Sequence, residues 1–229
     1  MKRLQDQSEM QILAVAINKG GAGKTMVTKC LSTAAAHVGL NVLVLDMDTQ
    51  QNATQWGRRR KDFNPLPVVR FTTENDLPEE LSRAEQAGCD LVIIDTPPGR
   101  STETPAAVEA ADLVVCPFAP ELDHYEGMAR IVRLARTTGK PAVGVLNLAE
   151  PNSQSEVATA RGVLTGIGLP FAPSVLHRFK IHKEASLKGM TAQELDPESR
   201  AASEIAELWK FIYAELQVCN TALLQKVAS

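Results

Sequence analysis

"INKGGAGKTMVTK", residues 17–29, follows a short apolar run and opens a helical pattern. An ordinary phosphate-binding loop reads G-x-x-x-x-G-K-[ST], and Gly23-Lys24-Thr25 supplies its end. Counting back, the first glycine should stand at residue 18, but the chain has Asn18 there, followed by Lys19. Gly20, Gly21 and Gly23 let backbone N–H groups close around phosphate oxygens, where a Cβ would obstruct the approach or forbid the dihedrals. The start of the following helix adds partial positive charge. Lys24 is then expected at the β- and γ-phosphates, and the Thr25 hydroxyl at one Mg2+ position. The expected cofactors are ATP and Mg2+. A loop built round one triphosphate has no evident need for a second lysine at 19.

Outward from this stretch, short β-branched and apolar runs recur at 12–17, 42–45, 91–94, 113–115 and 142–146, with weaker ones at 68–71 and 174–176. Runs polar on neither face suit strands buried on both sides of a parallel sheet. Helically spaced segments lie between them, at 77–87, 124–136 and 204–216. The alternation predicts right-handed βαβ units and a doubly wound, mostly parallel α/β sheet flanked by helices. Ligands of such sheets bind at the carboxyl ends of the strands. With no linker and no internal repeat, residues 1–229 read as one domain, with an N-terminal extension at 1–10 and a C-terminal tail at 217–229.

Two further strand ends carry acids. "LVIIDTPPG" places Asp95 after four apolar residues, the expected Mg2+-supporting acid, and its Thr96-Pro97-Pro98-Gly99 turn is placed to sense the γ-phosphate. "VLDMDTQQ" places Asp46 and Asp48 two apart, so extended chain would turn both toward the nucleotide. One would support the metal shell and the other orient the attacking water, since phosphoryl transfer needs mostly positioning and charge stabilisation.

Composition excludes several alternatives. A formal charge of −3 gives no global pull toward nucleic acid or anionic lipid, so any such binding needs a local patch. Cys30, Cys89, Cys116 and Cys219 form no C-x-x-C pair, which fits reduced thiols rather than zinc or disulfides. No apolar stretch approaches the ~18 residues of a membrane span, and the acids and glutamines after Met1-Lys2-Arg3 do not suit a signal peptide. A soluble, cytoplasmic protein is expected. His37, His124, His177 and His182 form no pattern and read as surface or loop residues.

Lys19-Gly20-Gly21-Ala22-Gly23-Lys24-Thr25 resembles the deviant Walker A motif, K-G-G-x-G-K-T, of the ParA/MinD ATPases. "DMDTQ" is similar to that family's D-x-D-P-Q switch, "DTPPG" to its Walker B turn, and "LDPESRAASEIAELWKFI" to the end of small ParA proteins without an N-terminal helix-turn-helix domain. The resemblance spans about residues 11 to 216 and implies a nucleotide site of residues 19–26, from Lys19 to Met26. It implies that Lys19 reaches across a face-to-face homodimer to the partner's ATP, that Asp48 positions the hydrolytic water, and that Asn147 contacts adenine. Met26 departs from the motif's second threonine, and Thr49 from the switch proline, which is expected to loosen that loop.

The resemblance further implies slow ATP hydrolysis stimulated by a ParB-like or other cargo adaptor, and non-specific DNA binding by the ATP dimer over the nucleoid. Arg178, Lys180, Lys183 and Lys188 are the candidate DNA contacts, with Arg58-Arg59-Arg60-Lys61 as a second basic run. Two other trades share the motif. A MinD-like membrane ATPase needs a basic amphipathic tail, whereas Leu216, Val218, Leu223, Leu224 and Val227 are accompanied only by Lys226. A metabolic or iron–sulfur-carrier relative needs paired cysteines, and Cys116 has none nearby.

Overall fold

The computed structural model describes residues 9–60, 62–63, 66–99 and 101–227, with side chains through Cys219. The elements alternate as β1 (Gln11–Val15), α1 (Lys24–His37), β2 (Val42–Asp46), α2 (Asn52–Arg58), β3 (Val68–Phe71), α3 (Leu77–Gln86), β4 (Leu91–Asp95) and α4 (Glu103–Ala110). They continue with β5 (Leu113–Phe118), α5 (Leu122–Thr137), β6 (Ala142–Ala149), α6 (Gln154–Ile167), β7 (Leu176–His177), α7 (Lys180–Leu187), α8 (Ala192–Leu195) and α9 (Arg200–Val227). The strands form one sheet of seven in the order β3-β2-β4-β1-β5-β6-β7, and the pairings are parallel.

Alternation along each strand builds two cores. Leu13 and Val15 of β1 pack with α1, α8 and α9 on one face, while Ala14 and Ala16 join α3, α4, α5 and α6 on the other. Because both faces are covered, the central strands carry no polar alternation, which is why apolar runs located them. β5 and β6 extend past those runs, to Phe118 and Ala149. Pro117 is tolerated in β5 because pairing with β1 has ended at Val115.

The structure corrects one boundary. The expected strand at 174–176 lies at Leu176–His177, pairing with β6 across a register shift between Asn147 and Ala149. Residues 217–227 of the expected tail continue the last helix, which runs unbroken to Val227. It is anchored by Trp209, Ile212 and Leu216 against the sheet and by Gln11, whose amide donates to the Leu216 carbonyl at 3.0 Å. The side chains of Leu223, Leu224, Lys226 and Val227, and residues 1–8, lie outside the described residues. Among those described, no helix is long and apolar enough to cross a membrane.

Candidate functional site

In-register pairing brings the motifs together. Val15 of β1 lies beside Asp95 of β4, and Asp95 beside Asp46 of β2, so the loop after β1 and both acids meet at the carboxyl edge of the sheet.

The loop ends at Gly23, whose φ of +77° begins α1 with no capping side chain and no acid in the first turn. The first N–H groups of α1 therefore have no side-chain acceptor, the arrangement that receives an anion. A Cβ on Gly23 would meet the Asn147 amide nitrogen at 2.3 Å, so this position excludes every side chain. Asn147 lies fully buried under the loop and donates from Nδ2 to the Ala22 carbonyl at 2.8 Å. Asn147 thus supports the loop, and its Oδ1 has no hydrogen-bond partner among the described residues. Leu148 next to it has φ +58°, a left-handed bulge that turns the end of β6.

Lys24 is buried, and its Nζ makes only long contacts, 3.5 Å to the Ile17 carbonyl and 3.4 Å to that of Lys19. Burial holds its pKa below the ordinary lysine value, against the raising pull of Asp95 and Asp48. Asp95 is 1% exposed. Burial pushes its carboxyl up to about 7 and the nearby Asp46 adds to that, while the Thr25 hydroxyl, Lys24 and Thr28 pull the other way. Its Oδ1 accepts from Thr28 Oγ1 at 3.3 Å, and its Oδ2 has no hydrogen-bond partner among the described residues. An orphaned, desolvated carboxylate oxygen beside an anion cradle suits a bound cation or its hydration shell. Thr25 and Asp95 therefore fit Mg2+.

Asp46 is bonded on both oxygens. Its Oδ2 accepts from the Thr54 N–H at 2.8 Å and the Thr54 hydroxyl at 3.0 Å, and its Oδ1 from the Asp48 N–H at 3.2 Å. Fully buried, it fixes the start of α2 and the loop between. The Asp48 side chain lies outside that network, and its Oδ1 accepts from the Gln50 N–H at 2.9 Å. The Gln51 N–H also closes onto the Asp48 carbonyl at 2.8 Å. The loop expected to be loose for want of proline at Thr49 is pinned by these bonds.

Lys19 is exposed, and its ammonium pairs with the exposed Asp123 carboxylate at the start of α5. That contact holds Asp123 below the usual carboxylate range. The neighbouring His124, which the sequence pattern left as a surface or loop residue, is buried and touches the loop at Gly20.

The basic segment forms α7 and its flanks. Arg178, Lys180, Lys183 and Lys188 are exposed, with Arg178 3.4 Å from Glu150. The second basic run divides. Arg58 and Arg59 are exposed, Lys61 lies outside the described residues, and Arg60 is fully buried. Its guanidinium forks onto the Glu194 carboxylate with two bonds of 2.7 Å, bonds the Gly189 carbonyl at 2.7 Å, and stacks 4.6 Å from the Trp56 ring. Gly189, at φ +72°, brings its backbone so close to Arg59 that a Cβ would sit 2.9 Å from the Arg59 carbonyl carbon. Trp56 Nε1 adds a bond to the Met190 carbonyl at 3.2 Å. Arg60 is therefore a fastener between α2 and the segment after α7, which corrects its reading as a surface contact. Arginine within a basic run carried no signal for this.

Between α1, the end of α2 and α7 lies an open cleft of about 570 Å³, lined by Lys29, Arg59 and Lys183 with Met26, Leu187 and Met190. Among the described residues, no carboxylate lines it. Burial lowers the pKa of Lys29, whose ammonium lies 3.4 Å from the Ser186 hydroxyl and 5.7 Å from the Trp56 ring. A half-desolvated cation joined by two more cations is suited to an anionic group.

Comparison with known proteins gives a consistent picture. Residues 13–192 match the family described as CobQ/CobB/MinD/ParA nucleotide binding domain. The chain is similar to a maintenance of carboxysome distribution protein A of Gloeobacter kilaueensis, with 29% identity over 87% of this chain and 96% of that protein. It is 26% identical to the sporulation initiation inhibitor protein Soj of Bacillus subtilis, over 89% of this chain and 98% of Soj. Its fold is similar to that of the septum site-determining protein MinD of Pyrococcus horikoshii, solved with Mg-ADP, at a TM-score of 0.73 and 19% identity, covering 89% of this chain and 96% of that one.

Proposed function

Because the chain belongs to the CobQ/CobB/MinD/ParA nucleotide-binding family, we propose that it is an ATPase that acts as a partition or positioning switch, with residues 19–26 as its ATP site. The observation that carries this is the uncapped start of α1 beside the orphaned Asp95 oxygen. A helix start without an acceptor suits phosphate, and an unpartnered buried carboxylate suits the accompanying cation.

In this reading the loop N–H groups and Lys24 hold the β- and γ-phosphates, and Thr25 and Asp95 hold Mg2+ or its waters. The bound metal supplies charge neutralisation across those phosphates. Asp48 lies within electrostatic reach of Lys24 and orients the attacking water, while Asp46 holds the Asp48 loop at a fixed distance from the cradle. Asp48→Ala is expected to lower ATP turnover about 100-fold, the lower end of what a positioned base contributes, without weakening ATP binding. A variant hydrolysing at the parental rate removes Asp48 from this role.

Lys19 then serves a second subunit. Its resting partner is Asp123 of the same chain, and an exposed ion pair is weak enough to exchange for a triphosphate across a homodimer. Nucleotide state thereby sets dimerisation through differential affinity. The dimer would bind DNA non-specifically through Arg178, Lys180, Lys183 and Lys188. Lys29 and Arg59 extend that surface into the cleft beside α1 and α2, the two helices that begin at the nucleotide. A cargo-bound adaptor of ParB type would stimulate hydrolysis, over the nucleoid in the cytoplasm. That similar proteins carry names of carboxysome distribution and of chromosome partitioning supports a positioning role.

The test is binding to non-specific duplex DNA with ADP, ATP and a non-hydrolysable analogue across a salt series. Binding is expected only with triphosphate. Its logarithm should fall linearly with log salt, and Arg59→Ala or Lys183→Ala should each reduce that slope by about one. Absence of DNA binding in every nucleotide state, together with binding to anionic liposomes, would replace this reading with a membrane-associated one.

A further inference from the structure

We propose that His124 is a positioning residue of the phosphate loop, holding the Gly20 carbonyl so that the Gly21 N–H is aimed into the cradle. The inference rests on the reading of residues 19–26 as the nucleotide site.

Two contacts define the imidazole. The Ala119 N–H donates to Nδ1 at 3.0 Å, and Nε2 lies 3.0 Å from the Gly20 carbonyl oxygen. Both partners are backbone groups with a single role, one only a donor and the other only an acceptor. A neutral ring satisfies both in one way, with its proton on Nε2 and its lone pair on Nδ1. His124 is 2% exposed, so water does not compete for either bond. It joins the end of β5 to the loop after β1 through one rigid ring.

The consequence for the loop follows from peptide geometry. A trans peptide is planar, and its C=O and N–H point to opposite sides. Fixing the Gly20 carbonyl toward α5 therefore fixes the Gly21 N–H away from it. Asn147 does the same two residues on, holding the Ala22 carbonyl at 2.8 Å from β6 and so orienting the Gly23 N–H. Alternate carbonyls are thus restrained from outside, and the intervening N–H groups are left for the ligand. Glycines need such restraint because they rotate between conformations of either sign at little cost. The rest of α5 supports the arrangement. Gly127 packs so closely that a Cβ there would lie 3.4 Å from Ile17 and 3.5 Å from the Lys19 side chain, and Asp123 pairs with Lys19.

Both hydrogen bonds of the ring go to backbone groups, so its effect should be on preorganisation. His124→Phe fills the space without either hydrogen bond and is expected to weaken ATP and ADP binding alike, by about tenfold, the equivalent of one well-placed hydrogen bond. Turnover at saturating ATP should change little, because binding lost equally from ground and transition states raises KM alone. His124→Gln carries a donor and an acceptor and should recover binding to within about threefold of the parent. Side-chain nitrogen shifts of His124 in the nucleotide-free parent, which need no variant, should report the Nε2–H tautomer. A folded Phe variant binding both nucleotides as the parent does, or an Nδ1–H tautomer, overturns the inference while leaving the nucleotide site intact. A parent that binds neither nucleotide overturns the site reading, and this inference with it.

Discussion

Lys24→Ala is expected to weaken ATP binding about a thousandfold, the upper range for truncating one partner of a desolvated charge pair. The empty protein should melt close to the parental temperature. These two outcomes go together for a physical reason. In the nucleotide-free chain the ammonium is buried against its own solvation, and its pKa is lowered as a result. Its carbonyl contacts, at 3.4 and 3.5 Å, are too long to recover that cost. The side chain is thus poised for a ligand rather than for stability. Calorimetric titration with ATP, paired with a thermal melt of the empty protein, measures both. Parental affinity would remove residues 19–26 as the nucleotide site. A collapse in melting temperature would make Lys24 a structural cation.

Arg60→Ala is expected to do the opposite, lowering stability by about 3–5 kcal/mol with the nucleotide contacts themselves untouched. Arg60 is fully buried and Glu194 is 6% exposed, so truncation leaves a carboxylate without its cation in a dry site. The Gly189 carbonyl loses its donor as well. Replacing both partners, Arg60→Leu with Glu194→Leu, should restore most of the loss, because an apolar pair carries no desolvation penalty. It should not restore all of it, since Glu194 also completes the cap of α8 by accepting from the Thr191 N–H at 2.8 Å. Urea denaturation of the parent, the single variant and the double variant checks this order.

The pair also sets a pH dependence. Burial alone would raise the Glu194 carboxyl, but the bonds and charge of Arg60, with Thr191, outweigh it and hold the group below the ordinary glutamate value. In the window between that ordinary value and the lower native one, the unfolded chain binds more protons. Stability therefore rises with pH through this window and is fully present above it. It is lost as acid carries the pH down through the native value. The Arg60→Ala variant should lose this part of the acid-side slope.

These predictions divide along what the chain discloses. Gly20 to Thr25 were legible because a phosphate loop is local, its glycines, lysine and hydroxyl all lying within one turn of chain. Asp95 was legible as a candidate because it ends an apolar run, and Asp48 because it lies two residues past the end of another. Asp46 was legible as a residue but its hydrogen bonds were not, since the side chain that bonds its Oδ2 is Thr54, one helical start away. For Arg60, four basic residues in a row suggested a solvated surface. Only the arrival of Gly189, Met190 and Glu194, more than 120 residues on, makes its site dry.

By itself the sequence determined the sheet and the phosphate loop, because hydrophobic period and glycine stereochemistry act over a few bonds. Tertiary structure alone decided which residues hold the loop in shape. His124 and Asn147 reach Gly20 and Ala22 across separations of 104 and 125 residues, and no local pattern encodes such a contact. A lone histidine in a helix and an asparagine at a strand end look ordinary until parallel pairing sets β5 and β6 beside β1. Their partners are backbone carbonyls, which every residue carries, so only the folded geometry selects Gly20 and Ala22.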